Sequence, residues 1–334
     1  MDQKDILVQV KDLEVYFYNN QRCNKAVRGV SFDICRKRTL GVVGESGCGK
    51  SVTASAIMRL LPQLARIEKG SITYNSEENG PIRVDRLEAN GRIMRSLRGQ
   101  EMAMIFQDPM TALNPVYSIG FQIGENLQYH TAMNKKERRE KSVDLLRSMG
   151  IPAPEQRVRE YPHQFSGGMR QRSMIAMAMA CDPQLLIADE PTTALDVTIQ
   201  AQIFELIEKL KETRETAIML ITHDMGVVTE LADDVIVMYM GNIVERGTVE
   251  EVLRTPAHPY TQALLESIPI LGKGKNQVLE PIKGSTPDPF NRPPGCQFAP
   301  RCDYCHERCS SMPEEVSLGG THGVRCWKSG GKPV

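Results

Sequence analysis

The sequence lacks an excess of charge of either sign. Its 334 residues carry 41 Lys plus Arg and 41 Asp plus Glu, so the formal net charge is zero. The overall charge therefore favours neither nucleic acid nor an anionic membrane surface as a partner. We expect no nucleic-acid partner.

Long apolar runs and an export signal are also missing. Apolar runs such as residues 185–188 and 235–240 have the length of strands, and they fall short of the roughly 20 residues that a membrane-spanning helix needs. Residues 1–5 are polar and do not begin a signal peptide, which has a basic flank, an apolar run and a small-residue cleavage site. Any membrane role is therefore expected to be peripheral.

The order of apolar patterns predicts an α/β protein. With 41% hydrophobic residues the chain can bury one large core and a smaller appended module. Alternating residues at 8–17 and 26–34 predict an N-terminal antiparallel hairpin. Further strands are predicted at 40–43, 102–106, 185–188, 217–221 and 235–240, and helices at 50–60, 135–149, 198–214 and 261–267. Because strands alternate with helices, we expect a mostly parallel sheet with helices on both faces, and an inserted helical subdomain at about 110–175.

A glycine-rich loop follows the predicted strand at 40–43. Residues 44–51 match the pattern G-x-x-x-x-G-K-S in full. Such a loop turns successive N–H groups toward phosphate oxygens at a helix N-terminus, with Lys50 reaching the β- and γ-phosphates and Ser51 ligating Mg²⁺. The alternative is a glycine-rich helix cap that binds nothing. The residues expected to hold the nucleotide here are Gly44, Glu45, Ser46, Gly47, Cys48, Gly49, Lys50, Ser51 and Val52.

Two acids end a second apolar strand. Residues 185–188 lead directly into Asp189 and Glu190. Asp189 is expected to hold Mg²⁺, and Glu190 is placed to polarise an attacking water as general base. The alternative is a solvated strand end without catalytic work.

Residues 165–172, with the sequence FSGGMRQR, carry the most specific pattern in the chain. They follow the signature Ser-Gly-Gly-x-x-Gln and open a predicted helix. Ser166 and the backbone of Gly167 and Gly168 would present donors to anionic oxygen at that helix N-terminus. Phe165 and Met169 depart from Leu and Gln, the commonest residues at these two positions of the signature. We expect those departures to affect packing more than phosphate binding.

With these motifs in this order, residues 6–250 resemble the ATPase subunits of the ATP-binding-cassette family. The resemblance implies a P-loop NTPase core with an N-terminal antiparallel β subdomain and an inserted helical subdomain. It also implies further roles: stacking of Phe17 on adenine, with Tyr16 as the alternative; contact of Gln107 with Mg²⁺ and the helical subdomain; and contact of His223 with the γ-phosphate. The loop that ends at Asp196 resembles the one that crosses between subunits.

The resemblance also implies partners. In this family the signature is too far from its own P-loop to touch the same nucleotide, so Ser166, Gly167 and Gly168 would serve the ATP of a second ATPase subunit. That subunit is expected to be a related but different chain, and a second copy of this chain is the alternative. Two transmembrane permease subunits and an extracellular solute-binding protein are the other expected partners, with this chain at the cytoplasmic face of the membrane.

The pattern weakens near residue 250, where we place a boundary between an ATPase domain (1–250) and a C-terminal extension (251–334). Residues 256–265 resemble the His-Pro-Tyr segment of ATPases from dipeptide, oligopeptide and nickel importers. His258 alone would read as an ordinary surface residue, and we assign it a structural role. Residues 272–275, Gly-Lys-Gly-Lys, predict a flexible stretch.

Five of the nine cysteines fall in the last forty residues. Cys296, Cys302, Cys309 and Cys326 have spacings that suit a soft metal centre, and the resemblance to peptide-importer ATPases favours a [4Fe–4S] cluster. Zinc on Cys302, Cys305, His306 and Cys309 is an alternative, and so is no metal at all. The remaining four cysteines are predicted to be reduced thiols.

The leading hypothesis is an energy-coupling subunit of an importer for short peptides. Nickel or another small solute is the alternative within transport. A soluble ATPase of DNA repair or translation is disfavoured, because such proteins usually carry a long coiled-coil insertion or two fused cassettes, and neither appears in this sequence.

Overall fold

The computed structural model describes residues 5–19, 22–193, 195–267 and 282–330. The predicted flexible stretch at 272–275 and Ala194 of the predicted crossing loop lie outside these residues. Among the described residues the strands are β1 (Ile6–Asn19), β2 (Arg22–Cys35), β3 (Thr39–Val43), β4 (Ala65–Ser76), β5 (Gly80–Arg83), β6 (Met102–Ile105), β7 (Leu185–Asp189), β8 (Ala217–Thr222), β9 (Asp234–Tyr239), β10 (Asn242–Thr248), β11 (Val316–Gly319) and β12 (His322–Val324).

The helices of the described residues are short or of medium length. They are α1 (Lys50–Ile57), α2 (Arg92–Gln100), α3 (Pro109–Ala112), α4 (Ile119–His130), α5 (Lys135–Ser148), α6 (Pro154–Arg157), α7 (Gly167–Ala178), α8 (Val197–Arg214), α9 (Met225–Leu231), α10 (Val249–Arg254), α11 (Pro259–Glu266) and α12 (Trp327–Gly330). Within the described ranges, none has both the length and the apolar character that crossing a membrane requires.

The chain divides into two compact units. The unit called here the P-loop unit consists mainly of Val8–Asp33, Thr39–Thr73 and the described residues from Ile221 onward. The unit called the helical unit consists mainly of Ile34–Arg38 and Tyr74–Leu220.

The P-loop unit contains the strand order β11-β12-β10-β9-β3. β3 and β9 are parallel, with Leu40 opposite Asp234, whereas β10 is antiparallel to β9 and β12 is antiparallel to β10. Every residue of β3 is buried, as expected for a strand that helices or other layers cover on both faces. The apolar core of this unit joins Val43 and Tyr239 to Tyr260 and Phe298 of the C-terminal extension.

The helical unit has β6 and β7 parallel and neighbouring, with β8 next to β7. Helices α3 to α7 lie in sequence between β6 and β7, where the inserted helical subdomain was predicted, and α4, α5 and α7 pack on one another. α5 begins with a capping box, in which the Asn134 side chain accepts from backbone N–H groups and Glu137 accepts from the Asn134 N–H.

The predicted strands and helices are present, with shifted ends. β1 and β2 are neighbours joined by two residues, which requires the antiparallel hairpin that was predicted. The predicted end of the first helix at residue 60 is wrong: α1 ends at Ile57, and Arg59 has a left-handed φ of 53° that a helix cannot continue through. Strands β4, β5 and β10 to β12 were not predicted.

Candidate active site

Glycines shape the P-loop between β3 and α1. Gly49 has φ of 104°, and a Cβ on it would lie 2.6 Å from the carbonyl oxygen of Ala26. Gly44 has φ of 154°, and a Cβ there would lie 2.2 Å from the carbonyl oxygen of Met238. The loop is therefore pressed between β2 and the end of β9, which only glycine permits at these two positions.

The Lys50 side chain points into this loop and is only 5% exposed. Its Nζ donates to the carbonyl oxygens of Gly44 at 2.6 Å and Glu45 at 3.1 Å. A buried ammonium satisfied by two neutral carbonyls is a strong site for a phosphate oxygen, since an anionic acceptor forms a stronger bond than a neutral one. Ser46, Gly47 and Ser51 are exposed beside it, and Val52 is partly buried.

Cys48 lies under the loop and is 1% exposed. Burial raises the pKa of its thiol. Because the reactive form is the thiolate, Cys48 is a packing residue in this environment and a poor redox switch.

Two candidate aromatics for the adenine base lie next to each other on β1. The Tyr16 hydroxyl donates to Glu14, and the Lys25 ammonium lies 5.2 Å from the centroid of the Tyr16 ring. Phe17 is half-buried on the opposite face of the strand. Since Tyr16 is engaged by two charged neighbours, Phe17 remains the better candidate for stacking.

His223 follows β8 and is exposed. The next residue, Asp224, caps α9 by accepting from the Gly226 N–H at 2.8 Å, and its own N–H donates to Thr222 Oγ1 at 3.0 Å. This turn places the imidazole at a strand end, as predicted.

In the helical unit the structure brings two predicted catalytic residues together. Because β6 and β7 are parallel, the residues that follow them lie at the same edge. Gln107 Nε2 donates to Glu190 Oε2 at 2.8 Å, and Thr193 Oγ1 donates to the same oxygen at 3.0 Å. Asp189, directly before Glu190, is 6% exposed.

Glu190 has a left-handed φ of 45°, which is strained for a residue with a side chain. Strain of this kind concentrates at functional sites, where the surrounding structure holds it. Here the bonds from Gln107 and Thr193 hold the Glu190 carboxylate in one orientation.

The signature occupies the N-terminus of α7. Ser166 caps the helix by accepting from the Met169 N–H at 3.3 Å, and it is exposed. A Cβ on Gly168 would lie 2.9 Å from Ile199 Cγ2, so α8 packs closely there. The departure Phe165 is 3% exposed and belongs to the core, as predicted for a packing substitution.

The α7 helix is tied to the chain segment after Glu190. Gln171 Nε2 donates to the carbonyl oxygen of Pro191. Asp196 caps α8 by accepting from the Ile199 N–H at 3.0 Å, and its side chain is exposed. The signature helix α7 is therefore hydrogen-bonded to the segment that joins Glu190 to Asp196.

In the P-loop unit the His-Pro-Tyr segment is buried. His258 is 1% exposed, caps α11 by accepting from the Tyr260 N–H at 3.0 Å, and burial lowers its pKa to about 3. The surface position expected for an isolated histidine is wrong, whereas a structural role fits. Glu245, fully buried, accepts from the N–H groups of Ala257 and His258 and from His322 Nε2.

A contact between this extension and the P-loop was not predicted. The Tyr260 hydroxyl accepts from the Glu45 N–H at 2.8 Å. Arg301 forms two bonds with the Glu45 carboxylate, at 2.7 and 3.0 Å. Only the fold brings residues 256 positions apart into this pair.

Four of the clustered cysteines line one small cavity of the extension. The cavity is also lined by His258, Phe298 and Trp327, and the four cysteines are Cys296, Cys302, Cys309 and Cys326. Cys305 is exposed. Over the described ranges, however, the structure contains no group of three or more His, Cys, Asp or Glu side chains arranged to hold a metal ion.

Two family models match the chain: ABC transporter over residues 27–193, and oligopeptide/dipeptide transporter, C-terminal region, over residues 244–309. Together with the P-loop, Glu190 and the signature, these matches show that the chain belongs to the ABC transporter family, as an ATP-hydrolysing subunit. Its extension belongs to the C-terminal region found in oligopeptide and dipeptide transporters.

Relatives match over nearly the full length. The probable peptide ABC transporter ATP-binding protein y4tR of Sinorhizobium fredii is 48% identical over 97% of this chain and 96% of its own. The dipeptide transport ATP-binding protein DppD of Haemophilus influenzae is 48% identical over 96% of this chain and 94% of its own. The solved ATP-binding cassette MJ0796, a dimer bound to ADP and Pi, shares the fold with a TM-score of 0.63 and 24% identity, over 72% of this chain and 98% of that one.

Proposed function

We propose that this chain hydrolyses ATP to power the import of dipeptides or oligopeptides through a membrane transporter. The observation that carries the proposal is that a complete ATPase motif set and the His-Pro-Tyr extension occur in one chain. The peptide-transport names of relatives that match nearly all of the chain support it.

Each motif receives one role in this proposal. The loop residues 44–52 hold the phosphates, with Lys50 on the β- and γ-phosphates, and Phe17 stacks on the adenine. Glu190 is the general base, and His223 contacts the γ-phosphate. The oxygen ligands of Mg²⁺ are Ser51, Gln107 and Asp189, which are the ligand types that this hard cation takes.

The signature residues and Asp196 are proposed to face a second ATPase subunit. Ser166, Gly167 and Asp196 are exposed in the helical unit, which supports this proposal. Ser166 caps α7 by accepting from Met169, and Asp196 caps α8 by accepting from Ile199. We propose that the partner is a paralogous ATPase. The division into residues 1–250 and 251–334 is kept as part of this proposal.

A groove in the helical unit is the proposed docking surface for the permeases. It has a volume of about 550 Å³ and is lined by residues of α4, of α5 and of the segment that follows α6. Phe121 and Tyr129 on its wall are 50% and 75% exposed. Exposed apolar patches of this kind mark surfaces that bind another protein. Permeases docked here, with an extracellular solute-binding protein, would place the chain at the cytoplasmic face.

For the four cavity-lining cysteines we propose a [4Fe–4S] cluster, and the alternative is zinc on Cys302, Cys305, His306 and Cys309. That these four cysteines line one cavity supports the proposal, since four thiolates are the ligand set that such a cluster takes. A bound cluster would cross-link a segment that has few apolar residues of its own. Visible absorption of anaerobically purified protein tests this: an iron–sulfur band is expected, and bound zinc without colour would contradict it.

Uptake tests the substrate class. The chain is reconstituted in vesicles with its permeases, its partner ATPase and the binding protein, and uptake of a labelled dipeptide, a labelled tetrapeptide and nickel is compared. We expect ATP-dependent uptake of a peptide. Uptake of nickel alone would establish the alternative solute, and ATP hydrolysis without any membrane partner at full rate would contradict a transport role.

A further inference from the structure

We propose that the C-terminal extension is part of the nucleotide site, with Arg301 and Tyr260 as positioning residues that hold the P-loop in its phosphate-binding shape through Glu45. This inference rests on the proposed function only in that the P-loop is the ATP site. It assigns work at the ATP site to residues more than 200 positions away from the loop in sequence.

The first contact is between side chains. Arg301 Nη1 and Nη2 donate to the two carboxylate oxygens of Glu45 at 2.7 and 3.0 Å, and Thr286 Oγ1 donates to the same carboxylate at 2.8 Å. The Arg301 side chain is only 5% exposed. Two parallel charge-assisted bonds in a buried setting fix direction as well as distance, which a single bond to a lysine cannot do.

Arg301 is itself held in place by residues of the extension and by Tyr239 of β9. Its Nε donates to the carbonyl oxygen of Lys283 at 2.8 Å, and its Nη1 donates to the Tyr239 hydroxyl at 3.2 Å. The guanidinium carbon lies 5.8 Å from the centroid of the Phe298 ring. The arginine therefore transmits the position of the extension to Glu45 rather than following the loop.

The second contact is with the main chain of the loop. The Glu45 N–H donates to the Tyr260 hydroxyl at 2.8 Å, while the Glu45 carbonyl accepts from Lys50 Nζ at 3.1 Å. A phosphate that drew the Lys50 ammonium away from these carbonyls would leave the Glu45 carbonyl without that donor. The Tyr260 and Arg301 contacts remain, so the extension keeps the loop in shape at the moment of binding.

Two aromatic residues of the extension, Tyr260 and Phe298, pack against Tyr239 of β9. The rings of Tyr239, Tyr260 and Phe298 pack in a triangle with centroid distances of 4.7, 5.3 and 5.4 Å. Tyr260 is fully buried. A buried aromatic cluster gives the Tyr260 hydroxyl a fixed position against the P-loop.

The test measures the Kd of MgATP on the full-length chain and the KM and kcat for ATP in the assembled transporter. For Arg301→Met we expect binding about tenfold weaker, with KM raised to match and kcat within about twofold. Arg301→Lys, which keeps the charge, should restore part of the affinity. Arg246→Met is the matched control, because it breaks the Arg246 to Glu315 pair, with an Nε to Oε1 distance of 2.9 Å, in the same unit without touching the loop.

A double-mutant cycle adds a readout that a general loss of stability would not produce. Glu45→Gln and Arg301→Met together should weaken binding no more than the stronger single variant, since both remove one contact. The single tryptophan, Trp327, lies in the extension, so its emission reports whether the extension is folded.

Unchanged affinity in Arg301→Met with native Trp327 emission would overturn the inference. If that variant alters the emission, Glu45→Gln decides in its place, and unchanged affinity there overturns the inference equally. Lys50→Ala separates this from the site assignment: loss of binding in Lys50→Ala with none in Arg301→Met rejects the extension's role alone, whereas normal binding in Lys50→Ala rejects the P-loop site and with it the inference.

Discussion

The P-loop unit and the helical unit differ in how their candidate site residues are placed. In the P-loop unit two of the side chains that contact the loop backbone are buried: Lys50 is 5% exposed and Tyr260 is fully buried. In the helical unit Gln107, Ser166 and Asp196 are exposed at the ends of strands and helices. The P-loop is held by packing between distant parts of the chain, whereas the groups proposed to face ATP and a second subunit lie at local caps and strand ends.

The largest expected effect concerns the packing of the P-loop unit. Phe298 is 3% exposed and touches both Tyr239 and Tyr260. Phe298→Ala should lower the free energy of unfolding of this unit by about 4 kcal/mol, because it leaves a cavity among large rings. Urea unfolding followed by Trp327 emission measures it. Phe290→Ala, at a residue 49% exposed, is the control and should cost below about 0.5 kcal/mol; equal losses would contradict the buried-anchor account.

A pair of glycines tests the shape of the loop itself. Gly49→Ala adds a Cβ 2.6 Å from the Ala26 carbonyl at a φ of 104°, and it should weaken ATP binding by about 100-fold, equivalent to about 3 kcal/mol. Gly47→Ala, at φ of 78° with nothing within 4 Å, should weaken it by only about fivefold, since it adds backbone strain alone. Titration with MgATP compares the two. Similar losses at both glycines would show that close packing against β2 is unimportant.

The buried histidine predicts a pH dependence in the P-loop unit. Burial lowers the pKa of His258 to about 3 in the folded state. In the unfolded state this imidazole is protonated below a pH of about 6.5, whereas in the folded state it stays neutral down to a pH of about 3. The resulting stability is present above pH 6.5 and is lost as the pH falls from there toward 3, by about 2 kcal/mol at pH 5. Unfolding at pH 8 and pH 5 measures it. His258→Asn, which retains a capping side chain, should flatten this part of the profile, and an unchanged profile would contradict the assignment.

The smallest of these effects is expected in the helical unit, on partner binding. Phe121→Ser removes an exposed ring from the proposed docking groove and should weaken assembly with the permeases by about tenfold, as expected for an aromatic interface residue. Its ATP affinity should stay within about twofold of wild type. Co-purification and ATP titration on the same preparation check both. Lost ATP affinity would show that the groove is not separate from the nucleotide site.

Much of the helical unit's chemistry was predictable from sequence because it is local. The Glu190 strand end and the Ser166 cap each depend on neighbours within a few residues. The Glu190 bond to Gln107 was not predicted, and it arises because the parallel strands β6 and β7 end together. Strand β4 was missed because Gly70 and charged residues interrupt its apolar alternation.

The extension's role was not predictable, since it depends on pairs far apart in sequence. Glu245 in β10 reads as an exposed charge, yet it is fully buried because His322 and two backbone N–H groups satisfy it. Nothing near Arg301 in the sequence names Glu45 as its partner. Such contacts become visible only when the fold is known.

Glu190→Gln in the assembled transporter tests most directly the proposal that Glu190 is the general base while the P-loop binds the nucleotide. Removing the general base should lower ATP turnover by at least about 100-fold. Since the P-loop contacts lie in the other unit, the Kd of MgATP should stay within about twofold. Normal turnover in this variant, or a loss of ATP binding equal to the loss of turnover, would contradict the account.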